Sequence, residues 1–523
     1  MKTDRRKLLQ TAAATGTALT IGGATFRHQQ TSAAAQTSTG TIDNLRIAMS
    51  SLPPQLDPQT TGWIVMSRVY NMVFDTLIMR DWANGGEFVP GLATEWTQVD
   101  DTTIDFTLRE GVVFHDGTPL TANDVKFTLE RSLQGDAKLG VTGQYPIESV
   151  TVTDDHHFSI KTTGPRGGFL IKLTGNDSSI ISQAYFNTIG YEGFQQMPLG
   201  TGPFKVTEYI PDQHILFDAN EQYWGGVPAA KKVTLTGIPE VSTRVAALMN
   251  DEVDMIMDLP PDQVETVTSA GDYNITDVSP MNSNIYAIVG NAPLDKKEIR
   301  QALNIGFDRQ AIVEQLLGGY GVWPTGIQQS VDPLYSERPQ LAYDPERAKE
   351  LLASIGYAGE EIKLAFDSPN YYPLEQEWTQ AIVSMWSDIG LNVSMSPIDV
   401  NQRVLIAPTD PWNLFTSSQG VTAEPGLKTT YASPTSAYQK LFVNEAPGTF
   451  DELNETVNAL EQSVDLAERI ELAKKAFDFL EDFVMVLTIV TINRISASKS
   501  EINFQEARDF GLELRAGKFS IAS

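Results

Sequence analysis

The forty residues from Gly91 to Glu130, GLATEWTQVDDTTIDFTLREGVVFHDGTPLTANDVKFTLE, constrain this chain more than any other stretch. Thr103, Asp105 and Thr107 alternate with Ile104, Phe106 and Leu108, the period-two pattern of a half-buried strand. Gly111 breaks the pattern, Asp116-Gly117 makes a tight turn, and Thr121-Ala-Asn-Asp opens a helix. Strand, turn and helix follow one another within this short span. A chain of 523 residues also exceeds what one core can hold, because single cores stop growing near about 250 to 300 residues. At least two lobes are expected.

Word for word, this block resembles the family 5 extracytoplasmic solute-binding proteins of ABC importers, a group that includes dipeptide-, oligopeptide-, nickel- and glutathione-binding proteins. Three later blocks carry the same likeness in the expected order. The first is Leu199-Gly-Thr-Gly-Pro-Phe-Lys-Val-Thr-Glu-Tyr with Asn220-Glu-Gln-Tyr-Trp-Gly-Gly. The second is Ile299-Arg-Gln-Ala-Leu-Asn-Ile-Gly-Phe-Asp-Arg-Gln-Ala-Ile, and the third is Tyr343-Asp-Pro-Glu-Arg-Ala-Lys-Glu-Leu-Leu with Gly390-Leu-Asn-Val. The resemblance implies an α/β, two-lobed periplasmic-binding-protein fold with an extra inserted domain and a hinge between the lobes. In this sequence a split first lobe would take 36–71, 191–280 and 490–523, the insertion 72–190, and the second lobe 281–489. The implied partners are an ABC permease and its ATPase, with the receptor itself a monomer.

The N-terminus carries Arg5-Arg6, a mildly apolar Ala/Thr/Gly-rich stretch to Phe26, and Ala33-Ala34-Ala35. It reads as a twin-arginine secretion signal, residues 1–35, cleaved after Ala35 and directing the chain to the periplasm. The stretch is too rich in Thr and Gly to supply the ~18 strongly apolar residues of a membrane span. With five basic groups and one acid, its removal takes the net charge from −28 to −32. Phosphate backbones need a basic footprint, so this acidic balance argues against nucleic acid as a partner. No cysteine is present, so no disulfide, thiolate-ligated metal or lipid-bearing lipobox cysteine is available.

Local signals predict a mixed second lobe. Asp308 caps a helix carrying Ile312, Leu316 and Leu317 that ends at Gly318-Gly319, and Asp344-Pro345 supplies a cap with proline at the first helical position. Trp378, Ile382, Met385 and Ile389, at spacings of four, three and four, form one helical face stopped by Gly390, a stripe that belongs to a core. Val484 to Val490 suits a buried strand that returns the chain to the first lobe.

Enzyme chemistry finds little support. There is no GxxxxGK phosphate loop, no HExxH and no GxSxG elbow. His156 and His157 stand beside Asp154 and Asp155, but strand neighbours point to opposite faces, so the two rings do not converge on one ion. His115, in the turn Phe114-His-Asp-Gly, reads as structural, and few histidines with no cysteine argue against nickel as a bare ion. No metal or cofactor is expected.

Binding chemistry is what remains. By the resemblance, the cleft would be lined by segments after Leu56-Asp57-Pro58 with Trp63, by Asn284 to Asn291 with Tyr286, and by Pro411-Trp412-Asn413-Leu414-Phe415-Thr416. The candidate ligand-binding residues are therefore Trp63, Tyr286, Asn291, Trp412, Thr416 and Glu424, with core packing as the alternative for each aromatic. Peptide-binding relatives carry a Gly-Trp-x-x-Asp-x-x-(Asp/Glu)-Pro type motif whose first aspartate pairs with the ligand's ammonium group. Matching Glu424-Pro425 to its end puts Val421 at the aspartate and Ser418 at the tryptophan. The expected cargo is a small polar solute, a peptide, sugar or opine-like molecule, with the Val421 departure weighing against free-amine peptides and Glu424 a candidate replacement. A secreted α/β hydrolase is the rival of another class.

Overall fold

The computed structural model describes residues 40–60, 64–81, 86–133, 146–278, 283–328, 332–367, 372–399, 406–419, 426–504 and 511–522. The proposed signal, Trp63, Val421 and Glu424 lie outside the described residues. Two large sheets organise the rest, and the chain runs from one to the other and back.

The first sheet has seven strands in the order Tyr273–Val278, Arg494–Lys499, Met255–Ile256, Leu45–Met49, Lys232–Gly237, His214–Ala219 and Phe204–Ile210. Its centre is parallel: Leu45–Met49 runs alongside both Lys232–Gly237 and Met255–Ile256. Successive side chains on a strand take opposite faces, so Ile47 and Met49 enter one apolar cluster while Ala48 enters another. Burial on both faces explains why the strand LRIAM is nearly all apolar.

The second sheet has six strands in the order Gly321–Val322, Val486–Ile492, Ser283–Ile288, Leu414–Gln419, Glu361–Asp367 and Asn392–Ile398. The expected return strand forms here, buried along its whole length. Helix Glu375–Asp388 lays Trp378, Ile382 and Trp386 into this core, with Ile389 just beyond it. Met385, expected on that face, is only partly buried; Trp386 takes the central place, its Nε1 donating to the Leu303 carbonyl at 2.9 Å. Asp308 and Asp344 accept from the Ala311 and Arg347 amides as the capping pattern requires.

A smaller four-stranded antiparallel sheet, in the order Ala93–Asp100, Thr103–Leu108, His157–Thr162 and Ile147–Val152, holds the opening block. Ile104, Phe106 and Leu108 are buried as their alternation predicts, and Phe106 stacks on Phe158 with ring centroids 5.1 Å apart. Helix Ala122–Leu133 follows the turn. His157 instead pairs with Asp154, its Nδ1 2.9 Å from the carboxylate, and no group of three or more His, Asp or Glu among the described residues could hold a metal ion.

The glycines of Leu199-Gly-Thr-Gly-Pro join this unit to the first sheet. A Cβ on Gly200 would stand 2.0 Å from the Val73 carbonyl oxygen, and one on Gly202 2.5 Å from the Val73 carbonyl carbon. Backbone meets backbone there, which only glycine permits. His115 seals the same joint, its ring bonded to the Gly202 carbonyl at 3.0 Å. Burial pushes that imidazole down to about 4, so it stays neutral and donates Nε2–H.

Candidate functional site

The chain passes between the two large sheets through 279–282, which lie outside the described residues, and again at Asn493. Register then decides which edges face these crossovers. In the second sheet Ser283 pairs with Gln419, Asp367 with Ile398, and Gly321 with Ile492. The carboxyl ends of Glu361–Asp367, Asn392–Ile398 and Leu414–Gln419 therefore gather on the crossover side. In the first sheet Val278 pairs with Arg494, so the carboxyl ends of Leu45–Met49, Lys232–Gly237 and Met255–Ile256 also turn toward the crossovers. Open α/β sheets bind ligands in the crevice outside their carboxyl ends. Here two such edges adjoin one hinge.

On the first-lobe edge, Asp258 follows Met255–Ile256 with a left-handed backbone, φ 56°. Arg68, 1% exposed, grips both its oxygens at 2.9 and 2.5 Å, and Ser50 donates its amide and hydroxyl at 3.2 and 2.6 Å. Burial works against the Asp258 charge, yet the guanidiniums of Arg68 and Arg244 and the Ser50 hydroxyl hold the carboxyl well below its usual range. Arg244 also donates to the Met257, Asp258, Ile238 and Pro239 carbonyls, tying the ends of Met255–Ile256 and Lys232–Gly237 together.

On the second-lobe edge, Asp367 ends its strand and Glu375 opens the following helix, both fully buried. Glu375 accepts from the Asp367 amide at 2.9 Å and the Tyr372 amide at 3.2 Å, and the Thr416 hydroxyl reaches the same group. Burial, reinforced by the neighbouring Asp367 carboxylate, raises Glu375 to about 7. Ser283 and Thr491 share a 2.6 Å hydroxyl bond beside the crossovers.

The six sequence-derived candidates divide sharply. Thr416 belongs to this edge as buried support, accepting from the Asp367 amide at 3.2 Å. Tyr286 is corrected to a core residue: its ring lies 5.8 Å from both Trp378 and Trp386, its hydroxyl meets Thr379, and it is fully buried. Asn291 and Trp412 do come together, the Asn291 amide donating to the Trp412 carbonyl at 3.3 Å. They do so at the end of the sheet away from the crossovers, because Leu414 pairs with Ile288 there. The rise from Leu414 to Gln419, at ~3.3 Å per step, puts that end ~17 Å from the crossover edge. Trp63 and Glu424 lie outside the described residues. Asp57 is internal: Arg131 of helix Ala122–Leu133 pairs with its carboxylate, riveting that helix to the segment that follows Leu45–Met49. Asp258, Asp367 and Glu375 were missed. An acidic residue closing an apolar run, as in MIMD and EIKLAFD, is the signal that finds the two aspartates once carboxyl ends are the guide, and Glu375 is reached only through its bond to the Asp367 amide.

Residues 87–438 match the model of the bacterial extracellular solute-binding proteins, family 5. The chain belongs to that family. Among family 5 relatives, the heme-binding protein A of Haemophilus influenzae is 30% identical over 58% of this chain and 61% of its own length. The dipeptide-binding protein of Escherichia coli is 28% identical over 59% of this chain and 63% of its own length, so the chain spans about three-fifths of each. The crystal structure of the ABC transporter substrate-binding protein CtaP from Listeria monocytogenes superposes with a TM-score of 0.82 over 92% of this chain and all of that one, at 20% identity. The fold is the two-lobed one of family 5 binding proteins.

Proposed function

We propose that this chain is the extracytoplasmic receptor of an ABC importer, capturing a small polar solute between its lobes and handing it to a membrane permease and its ATPase. The observation that carries this reading is the convergence of both sheets' carboxyl ends on one hinge, each lined with polar groups held in fixed bonds. Capture closes the lobes only if the solute touches both edges at once, since a ligand with equal affinity for open and closed forms shifts nothing. The receptor works as a monomer and turns nothing over. The split first lobe, the insertion and the second lobe take the residue ranges given by the sequence.

Export through the twin-arginine route to the periplasm is part of the same proposal, resting on Arg5-Arg6 and the small residues through Ala35. So are cleft contacts from Trp63 and Glu424. Relatives named for heme and for a dipeptide do not choose the cargo. Val421 in place of an ammonium-binding aspartate favours a non-peptide solute.

Native mass spectrometry of mature protein from its own host, followed by denaturation and identification of the released molecule, tests the reading. One discrete non-peptide mass supports it as stated. A ladder of peptide masses keeps the receptor and overturns the Val421 argument. Turnover of a peptide or glycoside panel, abolished by one carboxylate substitution, replaces the receptor with a hydrolase.

A further inference from the structure

The two crossovers leave the sheets side by side: Tyr273–Val278 pairs with Arg494–Lys499 below them, and Ser283–Ile288 pairs with Val486–Ile492 above. Adjacent strands are ~5 Å apart, so the covalent links alone make a very short hinge line, free to twist as well as bend. A third element stands beside them. Gly321–Val322 is the next strand outward from Val486–Ile492, with Gly321 opposite Ile492. Just before it, the Tyr320 carbonyl accepts from the crossover amide of Asn493 at 3.2 Å.

The Tyr320 ring does not join the core of its own lobe. It packs against the first-lobe cluster that includes Ala48, Leu248, Ile256, Ile495 and Ala497. Leu317, three residues earlier, is fully buried in the second-lobe core. Between them Gly318 and Gly319 take left-handed backbones, φ 58° and 86°. Glycine adopts those conformations freely, so a short pliable link joins an anchor in one lobe to an aromatic seated in the other.

We propose that Tyr320 is a third, non-covalent tie between the lobes, which lengthens the hinge line and confines the lobes to bending about it. The tie serves the capture motion of the proposed receptor, so it rests on that reading, but its test needs no solute. Resistance to twist grows with the span of the hinge points, and the outer strand extends that span from ~5 to ~10 Å. Gly318 and Gly319 absorb the residual rotation while the ring stays docked.

The chain contains no cysteine, so Glu221→Cys in the first lobe and Glu346→Cys in the second, both exposed, give a unique label pair. Distance distributions from pulsed electron paramagnetic resonance are compared in solute-free protein for the parent, Tyr320→Phe and Tyr320→Ala. Expected are a broader distribution in Tyr320→Ala and hydrogen exchange at the Asn493 amide faster by roughly tenfold, from the lost ring burial, with Tyr320→Phe like the parent. A purely local role for Tyr320 lowers second-lobe stability without moving either readout, and that outcome overturns the proposal. So does Tyr320→Phe behaving like Tyr320→Ala, since the ring and not the hydroxyl is the tie. Should Tyr320→Ala fail to fold, Tyr320→Leu carries the same expectations. Because no ligand is added, failure to find a solute and failure of the tie remain separate results.

Discussion

Replacing Asp258 by alanine takes from the Arg68 guanidinium the carboxylate that it grips through both oxygens. The arginine side chain is 1% exposed, while the aspartate side chain is 28% exposed, so the charge that loses this carboxylate is the deeply buried one. Breaking such a pair by removing one member costs about 3 to 5 kcal/mol, far more than the pair's net contribution when intact. A second cost follows from φ 56° at this position, where alanine is strained by about 1 to 2 kcal/mol and asparagine is not. Asp258→Ala should therefore lower first-lobe stability by about 4 to 7 kcal/mol and Asp258→Asn by less, while Arg68→Met with Asp258→Asn recovers much of the loss because the buried charge leaves too. Urea unfolding at pH 7, with hydrogen exchange of first-lobe peptides assigning the transition, measures each value. The sign with pH is fixed: the carboxyl is depressed in the folded state, so its contribution is full above the ordinary 3.8 and disappears as pH falls through the folded value below it. A loss under about 1 kcal/mol for Asp258→Ala, or a double variant no better than Asp258→Asn, refutes the reasoning.

Glu375 shows the opposite sign: its folded value is raised from 4.5 to about 7, so the native state binds the extra proton and stability falls as pH rises through that window. The loss amounts to at most about 3 kcal/mol, and Glu375→Gln should flatten the urea midpoint between pH 5 and pH 8. His115 is buried neutral with its value lowered from 6.5 to about 4, so stability is complete above 6.5 and is lost as pH falls toward 4. Melting temperature against pH should lose that limb in His115→Gln, whose amide can still donate to Gly202. Gly200→Ala forces a methyl to within 2.0 Å of the Val73 carbonyl oxygen, and calorimetry should show a loss above ~3 kcal/mol or no folded protein.

How much of this was legible beforehand depends on the range of the interaction involved. Period-two burial of Ile104, Phe106 and Leu108, the caps at Asp308 and Asp344, and the helical stripe of Trp378 and Ile382 are set within a few residues, and all can be read along the chain. The motif order led to family 5 for a related reason: glycines such as Gly200 and Gly202 answer to backbone contacts that tolerate no substitute. The site was less accessible. Trp412 and Tyr286 have the chemistry of a binding cleft, and side-chain type cannot say whether an aromatic faces a ligand or a core. Only the pairing of Leu414 with Ile288 puts Trp412 at the far end of its strand, and only Trp378 and Trp386, some ninety residues on in the chain, close the core over Tyr286.

By itself, then, the sequence determined the class of the elements, the family and the absence of thiol chemistry, because these follow from local periodicity and from residue types that are present or missing. Tertiary structure alone decided that Asp258 is gripped by Arg68, 190 residues away, that Asp367 and Glu375 close the facing edge, and that Tyr320 crosses the hinge. Sheet register and strand direction fix those neighbours, and both arise from pairings between segments far apart in the chain, from Ala365 with Phe415 to Tyr273 with Lys499, which no local window contains.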